Sequence, residues 1–158
     1  HSAANHGHAG CLVVLREAGV DLGVANDEGS TPAHSAAASG HAECLVLLRE
    51  AGADLSVENN LKSTPAHWAA QNGGHADCMV VLRDAGVPLG VADDRGFTPA
   101  HQAAYDGRAD CLVVLREAGV DLGVGDDKDR TPAYYAERNG HADCLKILAE
   151  AGVDLNAR

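Results

Sequence analysis

The feature that most constrains this chain is a sequence pattern that returns every 33 or 34 residues. The tripeptide Thr-Pro-Ala, followed by His or Tyr, begins at four positions, namely Thr31, Thr64, Thr98 and Thr131. The cysteines follow the same period, at Cys11, Cys44, Cys78, Cys111 and Cys144. Unrelated parts of one globular core do not repeat in this way. The chain is therefore one structural unit copied several times.

One unit, residues 26–58, shows what each copy builds. Thr31 is a suitable N-cap, and Pro32 suits the first helical position, where no backbone donor is needed. The first helix is rich in alanine, so another backbone can approach it closely, and Gly40 ends it. A second helix with a leucine-rich face runs up to Gly52, and the rest is extended and turn-rich. The unit is predicted to be a helix, a tight turn, a helix and a hairpin-like loop.

One such unit cannot bury its own apolar face, whereas stacked copies bury it between neighbours. We therefore predict an all-α fold, an α-solenoid that forms a single domain over residues 1–158. The expected units are one partial repeat followed by four full repeats, with the bounds 1–25, 26–58, 59–92, 93–125 and 126–158. All five cysteines are expected to be buried between helices, where a thiol acts as a small apolar group.

These units resemble the ankyrin repeat. The resemblance covers the whole chain and rests on four long copies, such as EGSTPAHSAAASGHAECLVLLREAGAD and RGFTPAHQAAYDGRADCLVVLREAGVD, and on a partial copy at the beginning. It implies stacked helix–turn–helix repeats with hairpin-like connecting loops. It also implies a concave face lined by hairpins and first helices, a convex back of second helices, and a module that binds other proteins without catalysing a reaction.

Two of the four full copies depart from the pattern at the hairpin turn. The glycine found there as Gly29 and Gly96 is replaced by Lys62 and Asp129. Glycine takes a positive φ more easily than any other residue. We therefore expect the turn to be less favourable in these two copies.

The two ends of the chain differ from the inner copies. In the last copy Glu137 replaces an alanine, which we expect on a face that no following repeat covers. The first copy lacks the hairpin and the Thr-Pro pair. This pattern predicts that the sequence is part of a longer chain or of a larger complex.

The charge and hydropathy of the chain exclude some classes of partner. With 12 Lys and Arg residues against 23 Asp and Glu residues, the formal net charge is −11. Binding to nucleic-acid phosphates requires clustered basic residues, so we expect no nucleic-acid partner. No apolar run approaches the roughly 20 residues of a membrane span, so we expect no direct membrane insertion. The acidity fits either solubility alone or attraction to a basic protein.

The cysteines indicate a reducing environment. Successive copies should lie roughly 8–10 Å apart. A disulfide needs Cα atoms within about 7 Å of each other, so the cysteines of successive copies cannot be paired. Free thiols favour an intracellular, reducing compartment, with the cytoplasm as the first choice.

Histidine stands three residues before cysteine in several copies, which raises the hypothesis of a metal site. The densest such cluster is His6, His8 and Cys11. Both residue types recur at fixed repeat positions, however, and the interhelical turn and the buried helix face account for them there. We expect no metal and no cofactor.

Three further histidines recur three residues after the helix-starting threonines, at His34, His67 and His101. Their recurrence predicts a structural hydrogen bond across the start of the helix and not a catalytic base. Neither a nucleophile elbow nor a phosphate-binding glycine loop is present in the sequence. We expect the protein not to be an enzyme.

Apolar and aromatic residues on the first helices and hairpins are the leading candidates for partner binding. Leu61, Phe97 and Tyr105 come first, because the repeat does not require large side chains at these positions. Trp68 and Tyr135 are also candidates, since Trp and Tyr dominate interface hot spots, but they fit packing between repeats equally well.

Charged residues are expected to flank this apolar centre. Asp27 and Glu28 make the N-terminal hairpin tip acidic. The basic candidates lie toward the C-terminal half, at Arg95, Lys128, Arg130 and Arg138. We expect a partner surface that is apolar in the middle, with charge complementarity at both ends.

The sequence thus favours a non-catalytic protein–protein interaction module that presents a preformed concave face. Two other functions stay open. One is a structural subunit or spacer of a large assembly, and the other is a regulatory segment of a longer enzyme or channel. The fold does not identify the partner, because the variable side chains decide which protein is bound.

Overall fold

The computed structural model describes residues 1–71 and 73–157, and every regular element within these ranges is an α-helix. The helices come in pairs along the chain. The first helices of the pairs are α1 (Ser2–Asn5), α3 (Pro32–Ala38), α5 (Pro65–Ala70), α7 (Pro99–Tyr105) and α9 (Pro132–Arg138). The second helices are α2 (Ala9–Glu17), α4 (Ala42–Glu50), α6 (Ala76–Asp84), α8 (Ala109–Glu117) and α10 (Ala142–Glu150). The predicted all-α, helix–turn–helix repeat fold is confirmed.

The helix pairs stack in two layers. Each inner first helix packs against the first helices on either side, as α3 does against α1 and α5. The second helices do the same, so that α4 contacts α2 and α6, and α8 contacts α6 and α10. Alanines in the first helices are fully buried, at Ala36, Ala69, Ala103 and Ala136. Their small size lets neighbouring helices approach closely, while leucines of the second helices fill the space between the layers.

A buried histidine links each inner first helix to the following hairpin. The backbone N–H of Thr64 donates to Nδ1 of His67 at 3.1 Å, so the other ring nitrogen, Nε2, carries the proton. This Nε2 lies 2.8 Å from the carbonyl oxygen of Phe97 in the next hairpin and donates to it. The same pair of bonds occurs at His34, which reaches Ser63, and at His101, which reaches Arg130. The hydrogen bond predicted at the helix start is present, and the second ring nitrogen of the same histidine joins successive repeats.

Burial lowers the pKa of these three histidines, although the bonds to the hairpin carbonyls act in the opposite direction. Each ring is therefore neutral near pH 7, with one nitrogen accepting and the other donating.

The hairpins form a continuous row, because each is hydrogen-bonded to the one before it. The backbone N–H of Asn60 donates to the carbonyl of Glu28 at 3.0 Å. Asp94 donates in the same way to Leu61 at 3.1 Å, and Asp127 to Arg95 at 3.2 Å. These bonds and the histidine bonds fix the hairpins relative to the first helices.

The hairpin turn keeps one backbone conformation in all full copies. Gly29 and Gly96 have φ values of 76° and 74°, and Lys62 and Asp129 take the same left-handed region with 57° and 58°. A side chain in this region costs about 1–2 kcal/mol for most L-residues. The tertiary structure therefore imposes the same turn on two residues that do not favour it, so the loss of glycine, which put the turn geometry in question, does not change that geometry.

The prediction that all cysteines are buried is correct for four positions and wrong for Cys11. Cys44, Cys78, Cys111 and Cys144 are buried, and all five thiols are free. Burial raises the pKa of Cys78 and Cys111 to about 12. Cys11 is exposed because no described helix packs on that side of α2, whereas Cys78, Cys111 and Cys144 each contact the first helix of the preceding repeat. At the other end Glu137 is exposed on α9, as expected for a terminal repeat.

None of the helices in the described part of the chain combines the length and apolar character needed to cross a bilayer.

The three linking histidines predict a pH-dependent stability. The pKa of each is below its ordinary value of 6.5 in the folded chain. As the pH falls through about 6.5, these three histidines bind protons in the unfolded chain but do so less readily in the folded chain. The stabilisation is thus fully present above this pH and is lost progressively below it. Urea titrations between about pH 7.5 and pH 5.5 should show a falling midpoint over this window.

A substitution isolates the contribution of one ring. His67→Gln should lower the free energy of unfolding at pH 7.5 by about 1–3 kcal/mol, because buried partners lose their bonds. The same substitution should also reduce the pH dependence. His6→Gln, at an exposed position, is the matched control for stability and should leave the free energy of unfolding at pH 7.5 nearly unchanged. Equal pH dependence in the His67→Gln protein and the unsubstituted chain would contradict this account.

The strained turn predicts a stabilising substitution. Lys62→Gly should raise the free energy of unfolding by about 0.5–1 kcal/mol, since the relief of the left-handed backbone outweighs the added entropy of the unfolded chain. Asp129→Gly should gain less, because Asp tolerates this conformation better than Lys. Gly96→Ala is the opposite test and should destabilise, as its Cβ would lie 2.6 Å from the amide nitrogen of Asp127. A loss of stability in Lys62→Gly would contradict the interpretation.

Candidate binding groove

The hairpins and first helices of the middle and C-terminal repeats enclose a surface depression, which we call the concave groove. It consists of two adjoining cavities that share Gln71, Arg95 and Gln102. The larger, with a volume of about 350 Å³, also contains Phe97, Tyr105, Asp126, Arg130 and Tyr135. The smaller, of about 200 Å³, has Leu61, Trp68 and His67 in its wall, together with Asp93 and Asp94. Side chains from three successive repeats thus form one continuous groove.

An aromatic cluster forms the floor of the larger cavity. The ring of Phe97 stacks on His101, with centroids 5.0 Å apart, and meets the edge of Tyr135 at 4.9 Å. The ring of Tyr105 also meets that of Tyr135, with centroids 5.9 Å apart. Tyr135 is buried, and His101 is the histidine that links this repeat to the next hairpin. The floor is therefore part of the packed structure and is preformed.

A buried carboxylate, Asp126, supports this floor. Its oxygen Oδ2 accepts hydrogen bonds from Nη2 and Nε of Arg130, at 2.7 and 3.0 Å, and from the hydroxyl of Tyr135, at 2.6 Å. Burial opposes ionisation of the group, but these hydrogen bonds and the hairpin amides outweigh it and hold the pKa of Asp126 well below its usual range. Asp126 is therefore ionised at neutral pH and fixes the position of both partners.

The same position in every hairpin has a turn-forming role. Oδ1 of Asn26, Asn59, Asp93 and Asp126 each accepts two backbone N–H bonds from the turn that follows. The aspartates add a second role through Oδ2. Asp93 uses it to bind Arg95 at 3.1 Å, and Asp126 uses it as described above.

Both arginines in the groove are consequently neutralised by carboxylates of their own hairpins. Each guanidinium also lies over an aromatic ring, Arg95 over Phe97 at 5.3 Å and Arg130 over Tyr135 at 5.1 Å. The exposed charges at the tips include the carboxylates of Asp27, Glu28, Asp94 and Asp127. The groove therefore has less positive character than the sequence alone suggests.

Seven of the nine predicted binding residues line the two cavities, namely Leu61, Trp68, Arg95, Phe97, Tyr105, Arg130 and Tyr135. The other two lie outside them. Lys128 is exposed on the last hairpin, and Arg138, also exposed, donates to the hydroxyl of Tyr134 at 2.9 Å.

Only two of the predicted apolar residues offer much free surface. Leu61 is 60% exposed and Tyr105 is 48% exposed. Trp68 and Phe97 are half-buried, because Trp68 packs edge-on against His34 and Phe97 belongs to the aromatic floor. Tyr135 is buried. Sequence reasoning did not name several groove residues as binding candidates, namely Asn59, Ser63, Gln71, Asp93, Asp94, Gln102 and Asp126, and it gave His67 only a structural role. For Asp126 a signal existed, since an arginine follows it at the fourth position.

The cluster considered as a metal site does not come together as one. The rings of His6 and His8 stack at 5.9 Å. Across residues 1–71 and 73–157, no three side chains of His, Cys, Asp or Glu are grouped as metal ligands would be.

Comparison with known families agrees with the repeat geometry. A family model described as "Ankyrin repeats (3 copies)" matches residues 1–93 and again residues 67–158, so that the two matches span the chain. This chain belongs to the ankyrin-repeat family. Ankyrin repeats are in general protein–protein interaction modules, and the fold is in general non-catalytic. No curated protein matches the chain.

The role of Asp126 in this ankyrin-repeat protein predicts the effect of one substitution. Asp126→Asn should keep the turn, because Asn26 and Asn59 form the same turn bonds. It should lose the charged bonds to Arg130 and Tyr135, at a cost of about 1–3 kcal/mol in the free energy of unfolding. Near-ultraviolet circular dichroism should change as the tyrosine loses its partner.

Asp93→Asn is the matched control. Its Oδ2 binds Arg95, whose side chain is 70% exposed and therefore screened by solvent, and it accepts no bond from a tyrosine hydroxyl, so the loss of free energy of unfolding should be smaller than for Asp126→Asn. Equal losses of free energy of unfolding in the two variants would contradict this role. They would show that weakened turn bonds account for the cost, and not the bonds of Asp126 to Arg130 and Tyr135.

Proposed function

We propose that this ankyrin-repeat protein is a non-catalytic binding module that holds a protein partner in the concave groove. One observation carries the proposal. Leu61 and Tyr105 expose large apolar surfaces on the groove, although packing between repeats does not require them. Exposed apolar side chains beside a preformed cavity are typical of interaction sites.

The groove favours binding by a short apolar anchor of the partner. Its aromatic floor is rigid, so little binding free energy is lost in ordering these side chains when a partner binds. Aromatic and arginine side chains are the residues most enriched among interface hot spots. Because Arg95 and Arg130 are already paired, the exposed carboxylates of the hairpins outnumber the exposed basic side chains there, which are Lys62 and Lys128. A partner that flanks its apolar anchor with basic residues is therefore favoured over an acidic one.

The chemistry of the buried groups supports a function without catalysis. Both ring nitrogens of His34, His67 and His101 are engaged in structural hydrogen bonds, so these rings cannot accept a proton from a substrate. The buried thiols of Cys78 and Cys111 have raised pKa values, which disfavours the nucleophilic thiolate. The presence of only free thiols also supports an intracellular, reducing location.

The proposal predicts the effect of groove substitutions on affinity. The tagged chain is used to capture proteins from the native source, and the dissociation constant of each captured protein is then measured by calorimetry. Leu61→Ala combined with Tyr105→Ala should weaken binding of the groove partner about 30- to 1,000-fold, since each residue is expected to contribute about 1–2 kcal/mol, or about 2–4 kcal/mol together. Val124→Ala is the matched control, because Val124 is 42% exposed and does not line the groove.

The outcomes separate groove binding from other modes. Loss of affinity in the double variant alone, with unchanged circular dichroism, supports the proposal. If the double variant and Val124→Ala bind as tightly as the unsubstituted chain, the groove is not the binding site. The function as a structural subunit, with contacts through the back or the ends, is then the better explanation.

A further inference from the structure

The smaller cavity of the concave groove differs in charge from the larger one. Among the residues that the structure describes in its wall are two carboxylates, Asp93 and Asp94, and one guanidinium group, that of Arg95. His67 also borders this cavity but adds no positive charge near pH 7, because burial lowers the pKa of the ring. The larger cavity has the opposite balance, with two guanidinium groups and one carboxylate. The smaller cavity is therefore the negative end of the groove.

The charge of Arg95 is already engaged. Its Nη2 donates to Oδ2 of Asp93 at 3.1 Å, and its guanidinium carbon lies 5.3 Å from the ring centroid of Phe97, in the wall of the larger cavity. Asp94, by contrast, is exposed and takes part in none of the ion pairs within the described part of the chain. Its carboxylate is therefore the charge that a bound group meets in the smaller cavity.

Apolar side chains accompany the carboxylate of Asp94. The backbone N–H of Asp94 donates to the carbonyl oxygen of Leu61 at 3.1 Å, so the two residues lie side by side on adjacent hairpins. Leu61 is largely exposed, and Trp68 in the same wall is half-buried, with its ring edge-on to His34. Indole is the aromatic group that attracts a cation most strongly.

This combination matches the two parts of a basic side chain. Lysine and arginine have an apolar stem, which favours contact with Leu61 and Trp68, and a cationic head, which favours the carboxylate of Asp94. An acidic side chain would face Asp94 with Arg95 already paired, and an apolar side chain would gain nothing from that carboxylate. A basic side chain is thus the occupant that uses every free group of the smaller cavity.

We propose that the smaller cavity binds a lysine or arginine side chain of the partner, with the stem against Leu61 and Trp68 and the charged head at Asp94. The proposal rests on the proposed function, because it names the chemistry of a partner in the same groove. The two cavities share Gln71 and Gln102 in their walls. One segment of the partner therefore reaches both, with its basic residue close to the apolar anchor.

Peptide selection tests this assignment. Short random peptides displayed on phage are selected for binding to the full chain. Peptides that lose affinity for the variant with Leu61→Ala and Tyr105→Ala are the groove peptides, and they should share a lysine or arginine close to an apolar residue. Each is then synthesised in two forms, one with its basic residue and one with a neutral analogue, which is citrulline for arginine and acetyl-lysine for lysine.

Two variants of the chain locate the binding site of the basic residue. Asp94→Asn removes the free carboxylate of the smaller cavity, and Asn60 at the same hairpin position shows that the fold accepts an amide there. Asp127→Asn is the matched control. It makes the same change of charge at the equivalent, exposed position of the next hairpin, outside both cavities.

Calorimetry should give two linked results. The neutral analogue should bind the unsubstituted chain about 5- to 30-fold more weakly than the basic peptide, since it lacks both the cation–π contact and the ion pair. With Asp94→Asn this loss should be smaller by a factor of about two to five, whereas with Asp127→Asn it should stay the same.

The location of the peptide has its own readout. Trp68 is the one tryptophan of the chain, so its indole N–H gives a single signal in a proton–nitrogen correlation spectrum. This signal should shift when the basic peptide binds, and it should shift less with the neutral analogue.

The proposal is overturned if the groove peptides share no basic residue, if the neutral analogue binds as tightly as the basic peptide, or if Asp94→Asn and Asp127→Asn have equal effects. In these cases binding in the groove, and with it the proposed function, still stands. If no peptide is selected, or if all selected peptides keep their affinity for the double variant, the groove does not hold a partner segment and both proposals fail.

Discussion

The structure depends on one repeated interaction, the neutral buried histidine that joins a first helix to the hairpin of the next repeat. One ring nitrogen accepts from the threonine N-cap and the other donates to a hairpin carbonyl, as in His67 between Thr64 and Phe97. Because both nitrogens are satisfied, the ring can be buried without an unpaired polar atom. The bond spans about one repeat along the chain, so it fixes each hairpin relative to the preceding helix, and repetition extends this order along the stack.

The concave groove follows from this arrangement. The hairpins are held in a row over the first helices, so side chains from three repeats meet at fixed distances. His101 takes part in both the linking bond and the aromatic floor, which makes the floor as rigid as the stack. The same bonds that build the groove occupy the histidine nitrogens that general base catalysis would need. Rigidity for binding and the engagement of these three histidines in structural bonds thus have one cause.

Most of the fold could be predicted from the sequence, because an ankyrin-type unit is local and its periodicity is visible in the residues. What could not be predicted depends on neighbouring repeats. Cys11 has the same sequence context as Cys111, yet it is exposed, because burial is decided by the presence of a covering pair. In the groove, the exposure of Leu61 was predictable from its hairpin position. The pairing of Arg130 with a buried Asp126 had only a weak signal in the four-residue spacing, since an aspartate at that position also serves an ordinary turn.

Hydrogen–deuterium exchange on the complex with a captured partner tests the central claim most directly. If the partner occupies the concave groove, amide protection on binding should increase in the hairpins and first helices of residues 59–71 and 93–105, while α4, α6 and α8 on the convex back keep their exchange rates. Protection confined to those second helices, with no change in the groove, would contradict the account.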